Sequence, residues 1–196
     1  MSVHVGLTRA QDRAAPLADT FGRAFVDEPM MRWPLVAGEV EAAERFTRCF
    51  GYFLEAAIPL GLIWEAGEAE GVAAWIPPGQ RDPPGVHPWG QAQILAQADD
   101  GGHRYEAFWE WVAAHEPQDP LWQLDSIAVA PALQRRGIGR ALIDAGLAAA
   151  RADGVGAFLS TGTRANVEKY GRCGFRVYDE ADAPGGGPHV WFMRWD

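Results

Sequence analysis

A strand, a glycine-bearing turn and a helix are predicted to follow one another within residues 121–151, and no other part of the sequence constrains the fold as strongly. Trp122–Val129 is apolar and β-branched toward its end, and Pro131 closes it, which predicts a strand. From Ile138 onward, apolar residues recur at the spacing of one helix face, which predicts a helix. The chain therefore passes from the end of a strand into the start of a helix through a short turn.

The turn between these two elements, Gln134 to Gly139, has the features of an anion-binding site. Gly137 and Gly139 remove side chains where the first helical turn exposes N–H groups that have no partner within the helix. The helix dipole adds partial positive charge at this end, and Arg135 and Arg136 strengthen the attraction for phosphate oxygens. The pattern predicts a phosphate site, although a tight turn without a ligand is an alternative that these residues leave open.

Two nucleotide-binding patterns are excluded by single residues. A dinucleotide fingerprint requires a third small residue, but the position three after Gly139 is Leu142. A P-loop requires a lysine followed by Ser or Thr, and Lys169 is the only lysine in the chain. The turn is therefore predicted to be neither a dinucleotide-binding turn nor a P-loop.

Two segments resemble motifs of the GNAT acetyltransferase superfamily. Gln134 to Gly139 matches every fixed position of the superfamily's acetyl-CoA pyrophosphate loop, Gln/Arg-x-x-Gly-x-Gly/Ala. Downstream, Asn166, Tyr170 and the pair Gly174-Phe175 resemble the Asn, Tyr and Gly-Phe pattern that its members commonly carry. The short spacing from Asn166 to Tyr170, the region 21–33 and the Pro/Gly loop before the last strand look most like the subgroup that contains puromycin N-acetyltransferase.

This resemblance implies an α/β (α+β) fold with a mixed central sheet of about six to seven strands flanked by helices. Its parallel fourth and fifth strands, Trp122–Val129 and residues 157–160, are expected to splay apart and hold acetyl-CoA between them. No metal site is predicted, because the five histidines are scattered without ligand spacing. The resemblance implies that the donor is bound by Ile127, Ala128, Val129, Gln134, Arg135, Arg136, Gly137, Ile138, Gly139, Arg140 and Asn166.

The chemistry that the resemblance implies is attack of a neutral amine on a thioester. Tyr170, with a reference pKa of about 10, is the predicted acid for the departing thiolate; a tyrosine that only satisfies a core partner is the alternative. Asp125 is the candidate base, and a carboxylate hydrogen-bonded at a strand irregularity is its alternative. Ser160 occupies the place where the puromycin-type subgroup often has an acidic residue. A water relay to Glu28 therefore stays open.

Composition restricts the partners and the compartment. A net charge of −9 argues against binding to a phosphate backbone, and no apolar run reaches membrane-spanning length. Cys49 and Cys173 form no C-x-x-C motif and no secretory signal is recognised, so a cytoplasmic location is expected. The dominance of arginine over lysine suggests a GC-rich, bacterial genome. With 196 residues, 48% of them hydrophobic, one domain spanning residues 1–196 is expected.

The expected function is an acetyl-CoA-dependent N-acetyltransferase acting on the primary amine of a small molecule, such as an antibiotic-like metabolite. Acetylation of a protein amine and a non-catalytic acyl-CoA sensor are the rivals, and a homodimer is left open. Three tryptophans are candidates for an acceptor pocket or for the core: Trp89, Trp109 and Trp111.

The rest of the chain supplies the remaining secondary structure. Further strands are predicted at 3–7, 62–65, 71–76, from 175 and at 189–195. Helices are predicted at 11–25, 39–58, 103–115 and 166–173, and loops at 81–90 and 183–188.

Overall fold

A computed structural model describes residues 3–8, 11–35, 42–80 and 91–196. The predicted loop at 81–90, which includes Trp89, lies outside the described residues. The helices are α1 (Ala14–Ala24), α2 (Pro29–Leu35), α3 (Ala42–Ala57), α4 (Gln91–Leu95), α5 (His103–His115), α6 (Ile138–Ala152) and α7 (Arg164–Gly171). The strands are β1 (Val5–Leu7), β2 (Ile63–Ala66), β3 (Gly71–Ile76), β4 (Trp122–Val129), β5 (Ala157–Thr161), β6 (Arg176–Asp182) and β7 (His189–Trp195).

The described part of the chain forms a seven-stranded mixed sheet in the order β1-β2-β3-β4-β5-β7-β6. All neighbours are antiparallel except β4 and β5, which run parallel as predicted. These two strands are connected through α6, as a parallel pair requires. The predicted α/β architecture, with a mixed sheet flanked by helices, is therefore confirmed.

The strands β4 and β5 separate soon after they meet. Their register contains only the pairs Trp122↔Ala157 and Gln123↔Phe158, whereas β4 pairs with β3 from Gln123 to Val129. Past Gln123, the edge of β4 that faces β5 pairs with no strand of the described part of the chain. The sheet thus opens into a V-shaped gap at the carboxyl ends of its two parallel strands.

Helices cover both faces of the sheet, which explains why β3 is buried along its whole length. Val72 and Ala74 pack in a core with α1 and α3, whereas Ala73 and Trp75 pack in a second core with α6. This alternation follows from the two-residue period of a strand. A third cluster joins α2 and α5 to β7 through Met30, Phe108 and Phe192, among others.

The packing of α6 on β3 depends on a glycine. The Trp75 side chain is fully buried, and its Nε1 donates a hydrogen bond of 3.2 Å to the carbonyl of Leu142. A Cβ atom at Gly146 would lie 2.0 Å from Cε2 of the Trp75 ring. The helix therefore approaches the strand closely because Gly146 has no side chain, and the indole fills that space.

Several predicted boundaries differ from the observed ones. A 3-10 turn over Gln11–Arg13 precedes α1, which ends at Ala24, so the α-helix is shorter at both ends than the predicted helix at 11–25. Pro29 begins α2, since proline is tolerated at the first position of a helix. The predicted helix at 166–173 is observed two residues earlier as α7.

Candidate active site

A cavity of about 720 Å³ occupies the gap between β4 and β5 and continues under α1, α3 and α5. It is lined by the carboxyl half of β4, the first turn of α6, the end of β5 and one face of α7. All the residues predicted to bind the donor or to act in catalysis line this cavity, with the exception of Arg136. The structure therefore brings together two motifs that lie about 30 residues apart in sequence.

The first turn of α6 has the geometry of an anion cradle. Gly137 precedes the helix with φ 88°, a left-handed conformation that favours glycine, and no side chain of the described residues caps the N-terminal N–H groups of the helix. A Cβ at Gly137 would meet no atom within 4 Å, so the space in front of these donors is open. Open space, uncapped N–H groups and the dipole of a 15-residue helix fit the pyrophosphate of a CoA thioester.

The three arginines of this turn have different environments. Arg135, with φ 62°, is exposed and lines the cavity. Arg136 is also exposed but does not line the cavity, and its contact with the donor stays a prediction. The Arg140 side chain donates to both carboxylate oxygens of Asp144 at 2.8 Å and to the carbonyl of Arg172 at 3.2 Å. Its guanidinium therefore links α6 to the end of α7.

Asp125 is placed at an irregularity in β4. Its neighbours Leu124 and Ser126 pair with the consecutive residues Trp75 and Ala74 of β3, so Asp125 is the extra residue of a β-bulge. Asp125 is half-buried, lines the cavity and lies near the Tyr105 side chain. Burial, with the nearby Cys49 and Asp125, raises the pKa of Tyr105 above its usual range.

The helix α7 contributes Asn166 and Tyr170 to the cavity wall. Asn166 Nδ2 donates to Thr161 Oγ1 at 3.3 Å, and its Oδ1 accepts from Lys169 Nζ at 3.1 Å. These bonds connect the helix to the end of β5. The Tyr170 ring packs edge-on against Phe175 at 6.2 Å, where Gly174, with φ 96°, turns the chain from the helix toward β6.

Burial raises the pKa of Tyr170 above its usual range, and the nearby Glu28 carboxylate raises it further. Both effects disfavour the phenolate, so this hydroxyl keeps its proton throughout the neutral range. Tyr170 and Glu28 therefore lie close enough to influence each other electrostatically inside one cavity.

Glu28 immediately precedes α2, and its carboxylate lies against the end of β5. The main-chain N–H groups of Gly162 and Met30 approach the carboxylate, yet Oε1 is buried without a hydrogen-bond partner in the described part of the chain. Burial raises the pKa of Glu28, and these two N–H groups and the Lys169 charge offset only part of this effect. A buried carboxylate with a raised pKa is suited to accept a proton near neutral pH.

The sequence pattern gave only an indirect signal for Glu28. The segment 26–33 mixes carboxylates with large apolar residues, as pocket-lining loops often do. The contact between Glu28 and Gly162, however, joins residues far apart in sequence, and no local pattern indicates this contact. The sequence indicates Glu28 only as the end of a water relay, whereas in the structure its side chain lines the cavity directly.

The remaining wall of the cavity is formed by apolar and aromatic side chains. The tryptophans predicted either for a pocket or for the core are divided between the two, since Trp109 lines the cavity and Trp111 packs against Phe192 and His115. The apolar and aromatic residues of this wall are Ala24, Phe25, Met30, Met31, Cys49, Phe50, Phe53, Ile94, Tyr105 and Trp109.

Metal-binding clusters and membrane-spanning helices are both absent from the described residues. Within residues 3–8, 11–35, 42–80 and 91–196, no group of three or more His, Cys, Asp or Glu side chains is arranged to hold a metal ion. In the same ranges, no helix has both the length and the apolar composition needed to span a bilayer.

Comparison with solved structures shows the fold. A histone acetyltransferase and related acetyltransferase from Corynebacterium glutamicum shares 21% identity at a TM-score of 0.74, covering 99% of this chain and 96% of that one. A mosquito arylalkylamine N-acetyltransferase like 5b shares 13% identity at a TM-score of 0.66, covering 98% of each chain. The Drosophila melanogaster polyamine N-acetyltransferase, which forms N-acetylagmatine, shares 13% identity at a TM-score of 0.64, covering 97% of this chain and 99% of that one.

At these levels of identity the structural likeness shows the fold alone. The sequence model of the acetyltransferase (GNAT) family, however, matches residues 63–175, which is more than half of the chain. The match includes β4, the cradle at the start of α6, β5 and all of α7. This protein therefore belongs to the GNAT acetyltransferase family.

Proposed function

We propose that this protein is an acetyl-CoA-dependent N-acetyltransferase that acts on the primary amine of a small molecule in a ternary complex. The observation that carries the proposal is one cavity in which the open N-terminus of α6 leads to Glu28, Tyr170 and Asp125. The groups that would bind the donor, remove a proton from the amine and protonate the leaving thiolate therefore line one cavity. Structural neighbours named for arylalkylamine and polyamine substrates support a small-molecule acceptor.

Acetyl-CoA is the acetyl donor of the family, and its thioester supplies the acyl carbonyl that the amine attacks. The residues Ile127, Ala128 and Val129 would hold the pantetheine arm along the open edge of β4. The pyrophosphate would lie at the start of α6, near the main chain of residues 134–140, with Arg135 adding charge. Asn166, on α7, would bind the pantetheine arm from the side opposite β4.

Glu28 is the proposed general base. An amine enters as an ammonium ion and must lose a proton before it can attack a carbonyl. Oε1 of Glu28 is buried without a hydrogen-bond partner among the described residues, and its carboxylate has a raised pKa, so proton transfer to this carboxylate is less unfavourable than transfer to an ordinary glutamate. Asp125, the base predicted from sequence, is retained in the proposal as a second carboxylate that attracts the ammonium group.

Tyr170 is the proposed general acid. Its hydroxyl lies in a cavity where burial and Glu28 keep it protonated, so it can deliver a proton to the leaving sulfur after the amine has attacked. Glu28 and Tyr170 therefore handle different protons: Glu28 takes one from the ammonium group, and Tyr170 gives one to the leaving sulfur. As the tetrahedral intermediate collapses, the attached nitrogen gives up its second proton, which restores the Tyr170 hydroxyl directly or through water, and the proton held by Glu28 leaves to solvent after the products depart.

Release of free thiol from acetyl-CoA tests the proposal directly. The purified protein should release thiol in an amine-dependent manner with at least one member of a panel of aryl, alkyl, polyamine and peptide amines. Release with peptide amines alone would favour a protein substrate. If calorimetry shows that acetyl-CoA binds but no amine causes release of free thiol, the proposed activity is overturned and a non-catalytic sensor is favoured.

The proposal extends to finer points that rest on the sequence. We place the protein in the bacterial cytoplasm as one domain over residues 1–196, with a homodimer as one possible assembly. We also retain the relationship to the puromycin N-acetyltransferase-like subgroup, on the spacing of Asn166 and Tyr170. Turnover with puromycin as acceptor tests that relationship, and its absence would remove it.

A further inference from the structure

The cavity has two chemically different ends. One end, formed by β4, α6 and α7, carries the open helix N-terminus and the polar residues of the proposed donor site. The other end is enclosed by helices α1, α2, α3, α4 and α5, whose lining side chains are apolar or aromatic. We name this second end the acceptor wall and define it by the lining residues Phe25, Met31, Phe50, Phe53, Tyr105 and Trp109.

The acceptor wall has the packing of a preformed aromatic surface. The Phe25 and Phe50 rings meet edge to face at 4.9 Å, and Phe50 stacks on Phe21 behind it at 4.3 Å. On α5, the Tyr105 and Trp109 rings are 6.1 Å apart, and both line the cavity. Phe50 and Phe53 are only 7% and 6% exposed, so these side chains are held in place by the core. A flat apolar group would find a rigid surface here at little entropic cost.

Acidic groups occur only at the strand side of the cavity among the described lining residues. Asp125 lies on the β4 bulge, and Glu28 lies beside Gly162 at the end of β5. Both are therefore near the point where the reacting amine meets the donor. The described acceptor wall itself offers no carboxylate to a second cation, and a cation buried there would lose hydration without an ion-pair partner.

We propose, on the basis of the proposed function, that the acceptor is a monoamine with one apolar, preferably aromatic, body. Its ammonium group is directed to Glu28 and Asp125, and its body packs against the acceptor wall. Diamines, polyamines and guanidino-amines are disfavoured because their second cation would face Phe50, Phe53 and Met31. The amine is thus selected by its apolar end as well as by its reacting nitrogen.

The test compares acceptors of similar length. Measured as kcat/KM at saturating acetyl-CoA, 2-phenylethylamine is expected to exceed agmatine and putrescine by roughly tenfold or more. Hexylamine should fall between them, since it has an apolar body without a ring. Preference for agmatine or putrescine would overturn this inference while leaving the acetyltransferase activity intact. Absence of thiol release with every amine would instead overturn the proposed function.

A charge placed on the acceptor wall supplies a second, independent measurement. Met31 is half-buried on α2 and lines the cavity, so Met31→Glu introduces a carboxylate where none is described, and Met31→Gln is the neutral control of matched size. Met31→Glu should raise the agmatine to 2-phenylethylamine ratio of kcat/KM roughly threefold or more relative to Met31→Gln. Equal ratios in the two variants would show that Met31 does not face the distal end of the acceptor, and would count against the inference.

Discussion

Gly162 and Glu28 are in such close contact that a methyl group on the glycine would lie 3.0 Å from Oε1 of the carboxylate. Gly162 directly follows β5, whereas Glu28 lies between α1 and α2, so this contact joins two parts of the fold that are remote in sequence. The same methyl group would lie 3.0 Å from Cγ of Met30. The end of β5 thus determines where the proposed base is held.

Gly162→Ala is therefore expected to displace the Glu28 carboxylate by a few tenths of an ångström and to lower kcat by roughly tenfold. Acetyl-CoA affinity, measured by calorimetry, should change by less than about twofold, because the cradle at α6 is not touched. Gly171→Ala is the matched control, since a Cβ there meets no atom within 4 Å. An unchanged kcat in Gly162→Ala would indicate that the position of Glu28 does not limit catalysis.

The identity of the base is tested by the pH profile of kcat/KM. A base must be deprotonated, and burial raises the pKa of Glu28, so activity should fall on acidification at a pH above the ordinary glutamate range. Glu28→Gln should remove this acidic limb and most of the rate, whereas Asp125→Asn should retain the limb. If Asp125→Asn removes the limb and Glu28→Gln keeps it, the assignment of the base is reversed.

Tyr170→Phe tests the proton donor. The substitution removes only the hydroxyl, so it should lower turnover at least about tenfold with little change in acetyl-CoA affinity. In the parent enzyme, the raised pKa of Tyr170 predicts that activity persists at alkaline pH, since deprotonation of this hydroxyl is disfavoured. A turnover number equal to that of the parent would exclude Tyr170 from the mechanism.

Gly146→Ala tests the packing of α6 on β3. The new Cβ would overlap the buried Trp75 ring, at 2.0 Å from Cε2, and a fully buried indole has no room to withdraw. The free energy of unfolding in urea should decrease by about 3 kcal/mol or more, at the upper end of the cost of overpacking. A decrease of less than about 1 kcal/mol would show that α6 can shift away from the sheet.

The segments with local signals were predicted well. The strand β4, the start of α6 at Ile138 and the bounds of α5 agree with the sequence periodicity, because each element carries its own apolar repeat and its own terminating residue. The parallel pairing of β4 and β5 followed from chain order and the handedness of crossovers. The predicted donor-site residues likewise came from β4 and from local motifs at the start of α6 and in α7, and all of them except Arg136 line the cavity.

The features that sequence did not reveal depend on contacts between distant segments. The hydrogen bond from the Arg140 guanidinium to the Arg172 carbonyl, for example, joins α6 to the end of α7, and no motif indicates it. The bulge at Asp125 arises from its register with β3, which no property of β4 alone specifies. The position of Glu28 depends likewise on the end of β5, to which it is not linked by any short-range pattern.

The early separation of β4 and β5 has a consequence for the order of events in the catalytic cycle. The end of β5 that contacts Glu28 through Gly162 pairs with β7 as far as Thr161, whereas β5 pairs with β4 only at its start, at Trp122 and Gln123. A donor arm that bridges the open edges of β4 and β5 would also hold the end of β5 against β4, and with it the proposed base. We therefore expect compulsory-order kinetics in which acetyl-CoA binds first, with slower hydrogen exchange at the amides of β5 in the donor complex.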